Sequence, residues 1–327
     1  MTGGGLPRLG PAAFGLSLLA DVPPPGAWAP QPFREPSLQI RSVTPQAIED
    51  SWSGLEASAW EGAIDGAPFV VERGVGGDHR FVHGARPVPD GVPSPGTRAV
   101  HHLCADASVL LCAPSDRADP SWWRVVLDSV LFTVALLQGY EALHAGAIAT
   151  PDGAIAIAAA TGGGKSTLLA ALLQRGLALM ADDVLVLESQ GTQAPLAFPA
   201  PPLMTVPAAR IPILSGAAPP LTIASIDDER WIAVPVHPEP LALKALVLLD
   251  RRPGSHRPGP AVSLTRIESP LAPLLDALIG FPRTPERERT RFELASVLSR
   301  TAGLWRLTAG LDTPPDVLAD TLLAGEL

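Results

Sequence analysis

The residues best suited to chemistry surround Lys165, one of only two lysines among the 24 basic side chains of this 327-residue chain. It follows three glycines, Gly162–Gly164, and precedes Ser166. A compact ammonium group fits between two phosphate groups, whereas the planar arginine fork does not. Glycines let the backbone approach phosphates, N–H groups at a helix start bind them, and a serine hydroxyl here ligates Mg²⁺. We therefore predict a nucleotide phosphate-binding loop that consists of Thr161, Gly162, Gly163, Gly164, Lys165, Ser166 and Thr167.

The loop departs from the strict phosphate-loop pattern at one position, because Ala159 stands where that pattern has its first glycine. The alternative interpretation is a glycine-rich turn that carries an incidental lysine. An apolar run before the loop, a helical pattern after it and the scarcity of lysine all favour phosphate binding.

Two adjacent carboxylates, Asp182 and Asp183, follow Lys165 by 17 and 18 positions in an otherwise apolar run. Burying such a pair is costly unless a cation or a proton compensates the charge. A magnesium–nucleotide complex supplies that cation. One carboxylate then takes the proton of an attacking hydroxyl while the other orients metal or water. The alternative is a solvated Asp-Asp pair where a strand meets a turn.

His144 lies in the apolar run Leu143–Ala149, which we predict to be the strand that precedes the strand leading into the glycine loop. A single histidine in such a run is usually a core residue with satisfied hydrogen bonds. Its position alone therefore leaves both a functional and a structural role open.

The surrounding pattern predicts an α/β unit. The turn Thr150–Gly153 separates Leu143–Ala149 from a second apolar run, Ala154–Ala160, as in a hairpin. Strand, glycine loop, helix and strand in succession form the unit that phosphate binding requires. The further predicted elements are a helix at 166–175, strands at 177–181, 184–187, 242–249 and 304–307, and helices at 271–278, 291–301 and 314–323.

The N-terminal part reads as short strands, and the predicted division is a β-rich domain at 1–119 and a catalytic domain at 120–327. Glycine, proline and aspartate clusters separate the predicted strands. An amphipathic helix is predicted over 120–141, since its apolar residues recur at intervals of three and four. The predicted N-terminal strands are 14–20, 38–43, 67–72, 79–83 and 108–112.

Composition excludes several classes of protein. The net charge is −9, and no basic run precedes Arg283–Arg291, so a nucleic-acid partner is disfavoured. That segment predicts either a solvated helix face or an arginine that reaches the transferred phosphoryl group. Cys104 and Cys112 are expected to be small buried hydrophobes. The apolar run Ser129–Leu137 is shorter than the ~20 residues of a membrane span, so we expect a cytoplasmic protein without membrane contact.

Together, these motifs resemble the catalytic domain of the HPr kinase/phosphorylases. The resemblance covers roughly residues 141–188 and rests on His144, Gly162-x-Gly164-Lys165-Ser166, Arg175-Gly176 and Ala181-Asp182-Asp183. It implies an α/β fold with a variant phosphate-loop core, shared with phosphoenolpyruvate carboxykinases, and implies ATP and Mg²⁺ as nucleotide and metal. By position, the catalytic residues would be His144, Lys165, Asp182 and Asp183. The resemblance makes Asp183 the proton acceptor, with Ser166 and Asp182 as the metal ligands.

One family signature has no counterpart here. The stretch Phe198–Ile213, which would supply a further acidic ligand and the reverse activity, contains no acid, and the next acids are Asp227, Asp228 and Glu229. We therefore expect no phosphorylase activity. Ala13–Ser17 and Trp305–Leu307 resemble a divergent branch of HPr-kinase-like proteins that accompany peptide maturation. Some members of that branch modify the terminal serine of lasso-peptide precursors.

The expected function is an ATP-dependent kinase that phosphorylates a serine hydroxyl of a peptide or small protein, such as a ribosomal peptide precursor. The alternatives are a small-molecule kinase and a nucleotide-binding regulator without phosphotransfer. The sequence leaves open the identity of the acceptor and whether the chain forms a homo-oligomer.

Overall fold

The computed structural model describes residues 8–26, 28–33, 35–64, 67–84, 99–114, 116, 122–211, 221–226, 228–252, 262–280 and 284–325. The chain divides into two compact units with mixed α/β architecture. The N-terminal unit comprises Met1–Pro25 and Ala29–Gly139, and the C-terminal unit comprises Gly26–Trp28 and Tyr140–Leu327. No helix among the described residues is long and apolar enough to cross a membrane.

The N-terminal unit is built around an eight-stranded sheet in the order β2-β3-β5-β10-β9-β8-β7-β6. Its strands β3, β5 and β10 are parallel, and the other neighbours are antiparallel. The elements are β1 Arg8–Gly10, β2 Ala12–Ala13, β3 Leu16–Ala20, β4 Gln31–Phe33, β5 Leu38–Ser42, α1 Pro45–Ser51, β6 Leu55–Ile64, β7 Ala67–Gly74, β8 His79–His83, β9 Ala99–Leu103, β10 Val109–Ala113, α2 Trp122–Val125, a π-helix Val126–Val130 and α3 Leu131–Leu137.

The division between the units differs from the predicted boundary at 119/120. The helical segment 122–137 belongs to the N-terminal unit, and the C-terminal unit resumes at Tyr140. The physical reason is aromatic packing within the first unit. Trp122 stacks on Trp123 with ring centroids 4.4 Å apart, and also lies 6.5 Å from the ring of His101 on β9. Amphipathicity predicted this helix correctly but did not indicate which sheet it covers.

The C-terminal unit contains a ten-stranded mixed sheet and a separate three-stranded sheet, β17-β19-β18. Strands β13, β20 and β23 run parallel at the centre of the large sheet. The elements are β11 Glu141–Leu143, β12 Gly146–Thr150, β13 Gly153–Ala159, α4 Lys165–Gln174, β14 Ala178–Ala181, β15 Leu185–Gln190, β16 Gln193–Phe198, β17 Leu203–Pro207, a 3₁₀-helix Ala208–Arg210, β18 Thr222–Ile226, β19 Glu229–Ala233, β20 Leu241–Arg252, β21 Val262–Arg266, α5 Leu271–Ala277, β22 Leu278–Ile279, α6 Pro285–Thr301, β23 Gly303–Gly310 and α7 Pro315–Ala324.

The core of this unit holds α4 in place on the sheet. Ile155 and Ile157 of β13 share a buried cluster with Leu168 and Leu172 of α4. Leu318 of α7 belongs to the same cluster. Each buried aliphatic side chain of this size contributes on the order of 1.5–3 kcal/mol. The start of α4 is therefore fixed beside the carboxyl ends of the parallel strands.

The predicted hairpin before the glycine loop is confirmed, since β12 and β13 pair antiparallel and Thr150 faces Gly153. The predicted position of His144 on a strand is wrong. This residue lies in the bend between β11 and β12, where its backbone N–H donates to Ala277 O at 2.9 Å. The apolar run was interrupted because its first part pairs with a different neighbour, β15.

Several other elements differ from the sequence prediction. The helix predicted at 291–301 begins at Pro285, after an N-cap at Thr284 whose side chain accepts from Arg287 N. The pattern of alternating apolar and polar residues did not predict strands β6 and β9. The two cysteines are free: Cys112 is buried as predicted, whereas Cys104 is only partly buried and donates from Sγ to Asp106.

Candidate active site

The glycine loop joins the end of β13 to the start of α4 by a tight turn. Gly163 N donates to Ala160 O at 2.8 Å. Gly162 and Gly164 have φ of +74° and +92°, which side chains rarely adopt. A Cβ atom on Gly163 would lie 2.8 Å from Ala160 O, closer than such contacts allow. All three glycines are therefore required by the turn itself.

The first turn of α4 contains backbone N–H groups that have no acceptor within the helix. Leu168 N donates to Gly164 O at 2.9 Å, so the intrahelical ladder starts there. The N–H groups of 165–167 precede that bond and have no intrahelical acceptor. No side chain caps the helix at Gly164. This end of α4 carries the positive pole of the helix dipole and suits an anion.

Lys165, Asp183 and His144 converge on one carboxylate oxygen. Lys165 Nζ donates to Asp183 Oδ1, and His144 Nε2 lies 3.2 Å from the same oxygen. Desolvation acts to raise the pKa of Asp183, but the hydrogen bond with His144 and the charge of Lys165 more than offset it, so the pKa lies well below its ordinary value. The Asp183 side chain is 64% exposed and that of Lys165 only 10%. The carboxylate is thus ionised and accessible.

Asp182 has a different environment from its neighbour. Its Oδ2 accepts from the backbone N–H of Thr205 at 2.9 Å, while Oδ1 is shielded from solvent and has no hydrogen-bond partner among the described residues. Desolvation raises its pKa to about 6, against the lowering effects of Thr205, Lys165 and the nearby Ser166 hydroxyl. The two adjacent aspartates therefore have pKa values shifted in opposite directions, as in pairs of residues of which one acts as an acid and the other as a base.

The site fits a magnesium ion that has few protein ligands. No group of three or more His, Cys, Asp or Glu side chains is placed to hold a metal within the described ranges. Asp182 Oδ1 is a shielded acceptor with no hydrogen-bond partner in the part of the chain that the structure describes, and the Ser166 hydroxyl lies close to this carboxylate. Mg²⁺ typically binds one or two protein oxygens and completes its octahedron with phosphates and waters. Ser166 and Asp182 match that requirement.

Arg251 is a site residue that the motif pattern did not identify. Its guanidinium donates to the backbone carbonyls of Gly310 at 2.9 Å and Thr313 at 3.1 Å, and also to that of Leu311. Arg251 Nη1 would lie 3.5 Å from a Cβ atom on Gly164. A fixed cation therefore stands beside the start of α4. The feature that could have identified Arg251 is its position at the carboxyl end of β20, a strand parallel to β13.

The remaining predicted residues belong to the glycine loop or to other segments of the sequence. Thr161 and Gly162 are exposed and Thr167 is partly buried, so the loop is open to solvent. Among the arginines of 283–291, Arg287 Nη2 binds Glu141 Oε2 at 2.9 Å and Arg291 donates to Leu278 O. Arg283 lies outside the described residues, as does Asp227. Phe198–Ile213 supplies no acid, but its Thr205 N–H binds Asp182.

Comparisons with known proteins add little to this geometry. No family model matches the chain, and no curated protein matches it. A solved structure that is similar to part of the chain is the Hpr(Ser) kinase/phosphatase from Coxiella burnetii. The similarity has 14% sequence identity and a TM-score of 0.30, and it covers 56% of this chain and 93% of the other. A likeness of that degree carries no weight for function, which rests on the site itself.

Proposed function

We propose that the protein is a Mg²⁺- and ATP-dependent kinase that phosphorylates a hydroxyl, namely a serine of a peptide or small protein. One observation carries the proposal: a glycine turn at a helix start lies beside a lysine and two carboxylates of opposite pKa shift. Phosphoryl transfer needs this combination of an anion cradle, a metal ligand and a base.

The anion cradle is formed by the chain between Thr161 and Thr167. Its backbone N–H groups would receive the β- and γ-phosphates, and Lys165 would bridge them. Lys165 would then exchange Asp183 for phosphate, because its ammonium contacts that carboxylate in this structure. Mg²⁺, when bound at Ser166 and Asp182, would neutralise charge that develops on the phosphate oxygens.

Asp183 is the residue that takes the proton. The acceptor oxygen attacks the γ-phosphorus, the bond from that phosphorus to the β,γ-bridging oxygen breaks, and ADP leaves with the bonding electrons. The hydroxyl proton passes to Asp183. The hydrogen bond with His144 and the Lys165 ammonium both depress the pKa of Asp183, so departure of the ammonium toward phosphate would make this carboxylate a stronger base. His144 keeps it oriented through the 3.2 Å contact.

Two other functions remain as alternatives with the same loop. A small-molecule kinase would use the same residues on a different acceptor, and a nucleotide-binding regulator would bind ATP without transfer. The accessible base favours transfer, because a pure binding module has no use for an ionised carboxylate held by both a histidine and the phosphate-binding lysine.

The test compares four proteins with Mg²⁺-ATP and candidate acceptors, the peptides and small proteins encoded beside this gene, read by mass spectrometry. Lys165→Ala should lose transfer, whereas Lys244→Ala is the matched control, since that lysine pairs with Asp152 at 3.3 Å instead. Asp183→Asn should lose transfer by about 10²–10⁴-fold while it keeps nucleotide affinity. Undiminished transfer in Lys165→Ala would refute the kinase. ATP binding without product from any peptide, protein or small-molecule acceptor would favour the regulator.

A further inference from the structure

A second group of potentially reactive side chains lies within the N-terminal unit. Ser51 is the last residue of α1, Asp78 immediately precedes β8, and His102 lies on β9. Ser51 Oγ is 2.8 Å from His102 Nδ1, and His102 Nε2 is 2.7 Å from Asp78 Oδ2. Serine, histidine and aspartate are thus joined in one hydrogen-bonded chain.

The direction of proton donation in this chain follows from the state of Asp78. Burial acts to raise the pKa of Asp78, but hydrogen bonds from Ser53 and His102 outweigh that effect and lower it. An ionised carboxylate accepts only, so His102 must donate from Nε2. In neutral His102, Nδ1 then carries a lone pair that faces the Ser51 hydroxyl. This is the arrangement in which a histidine serves as base to a serine.

The three hydrogen-bonded side chains differ in solvent exposure in the way that a reactive serine requires. His102 and Asp78 are 4% and 5% exposed, whereas Ser51 is exposed. The Trp52 ring packs edge-on against His102 with centroids 5.7 Å apart and holds the imidazole in place.

The Ser51 hydroxyl has a second neighbour, Ile48 O at 3.0 Å. Its single hydrogen is therefore shared between a carbonyl and an imidazole, which limits the rotation of the side chain. An exposed serine needs neither contact for stability, since water would satisfy it. The His102 ring is buried, however, so its Nδ1 needs a hydrogen-bond partner, and the Ser51 hydroxyl is in place to supply it.

We propose that Ser51 is the nucleophile of a second active site, with His102 as its base and Asp78 as the residue that positions His102. The substrate class is a small, activated acyl ester. Ser51 Oγ bonds to the acyl carbon while its proton passes to His102 Nδ1, and the leaving alcohol departs with that proton. Water then attacks the acyl–serine ester, gives a proton to His102, and releases the carboxylic acid as Ser51 regains its hydrogen.

The test uses a fluorophosphonate probe on the full-length protein. Phosphorus bonds to the serine oxygen and fluoride leaves as hydrogen fluoride, so labelling reports an activated serine. We expect labelling at Ser51 by peptide mapping and none there in Ser51→Ala. Ser58→Ala is the matched control, because Ser58 is an exposed serine of β6 in the same unit, and it should label as the wild type does. His102→Gln should lower the labelling rate by at least ~10²-fold.

A second measurement is hydrolysis of p-nitrophenyl acetate, which should fall in Ser51→Ala and His102→Gln but not in Ser58→Ala. Thermal unfolding would verify that each variant folds. Labelling of wild type no faster than that of heat-denatured protein would overturn the proposal, as would equal labelling and ester hydrolysis in Ser51→Ala. Neither outcome bears on the kinase site, because the probe reads a serine in the other unit.

Discussion

Asp182→Asn should stabilise the protein in the absence of metal while it removes a ligand of the proposed Mg²⁺ site. The pKa of Asp182 is about 6 in the folded protein, against an ordinary value of 3.8. The protonated Asp182 side chain is compatible with burial, so its contribution to folding stability is fully present below the pKa of the unfolded chain. That contribution is lost as the pH rises through 6, because the buried carboxyl must then ionise. The difference of about two pH units corresponds to roughly 3 kcal/mol at pH 8. Asparagine removes that cost and can still accept from Thr205 N.

The assay is thermal unfolding of both proteins from pH 4 to pH 8 in a chelator, without and with Mg²⁺-ATP. A gain of up to ~3 kcal/mol predicts a Tm rise at pH 8 of several degrees and at most about 10 °C, with little change at pH 4. Mg²⁺-ATP should stabilise the wild type more than the variant. Asp183→Asn is the matched control of opposite sign, since its pKa is lowered and its charge is stabilising. A Tm gain that is equal at pH 4 and pH 8 would refute the reasoning.

Three further predictions concern other sites. His101 is fully buried and neither ring nitrogen has a partner among the described residues, so burial, helped by His83, lowers its pKa to about 3. Between pH 6.5 and 3 only the unfolded chain binds a proton at this histidine, so the free energy of unfolding should fall by ~1.4 kcal/mol for each unit by which the pH is lowered. His101→Phe should therefore lose stability less steeply during acid titration. Gly163→Ala should weaken ATP binding, measured by calorimetry, by at least ~10-fold, since its Cβ meets Ala160 O at 2.8 Å; Gly176→Ala, outside the loop, should bind normally. The proposed kinase activity should run in one direction, because Phe198–Ile213 offers no acid. Rapid pyrophosphate release from phosphorylated acceptor and millimolar phosphate would contradict this.

The sequence by itself determined the local part of the candidate site. Three glycines before Lys165, an apolar strand before them and a helical pattern after them lie within some twenty residues. Backbone conformation at this range depends mainly on neighbouring residues, since glycine permits the positive φ and short side chains permit the turn. The loop, the start of α4 and the adjacent aspartates were therefore readable in advance.

Only the tertiary structure decided which distant groups meet that loop and how its carboxylates differ. Thr205 N reaches Asp182 across 23 positions, and Arg251 reaches the start of α4 from the far end of another strand. The same holds for Ser51, Asp78 and His102, which no spacing connects. Strand order and packing set these contacts, and the burial that they create gives Asp182 a raised pKa beside an accessible, ionised Asp183. A pattern of residue types contains no measure of burial, so two identical side chains in sequence acquire different chemistry only in the folded chain.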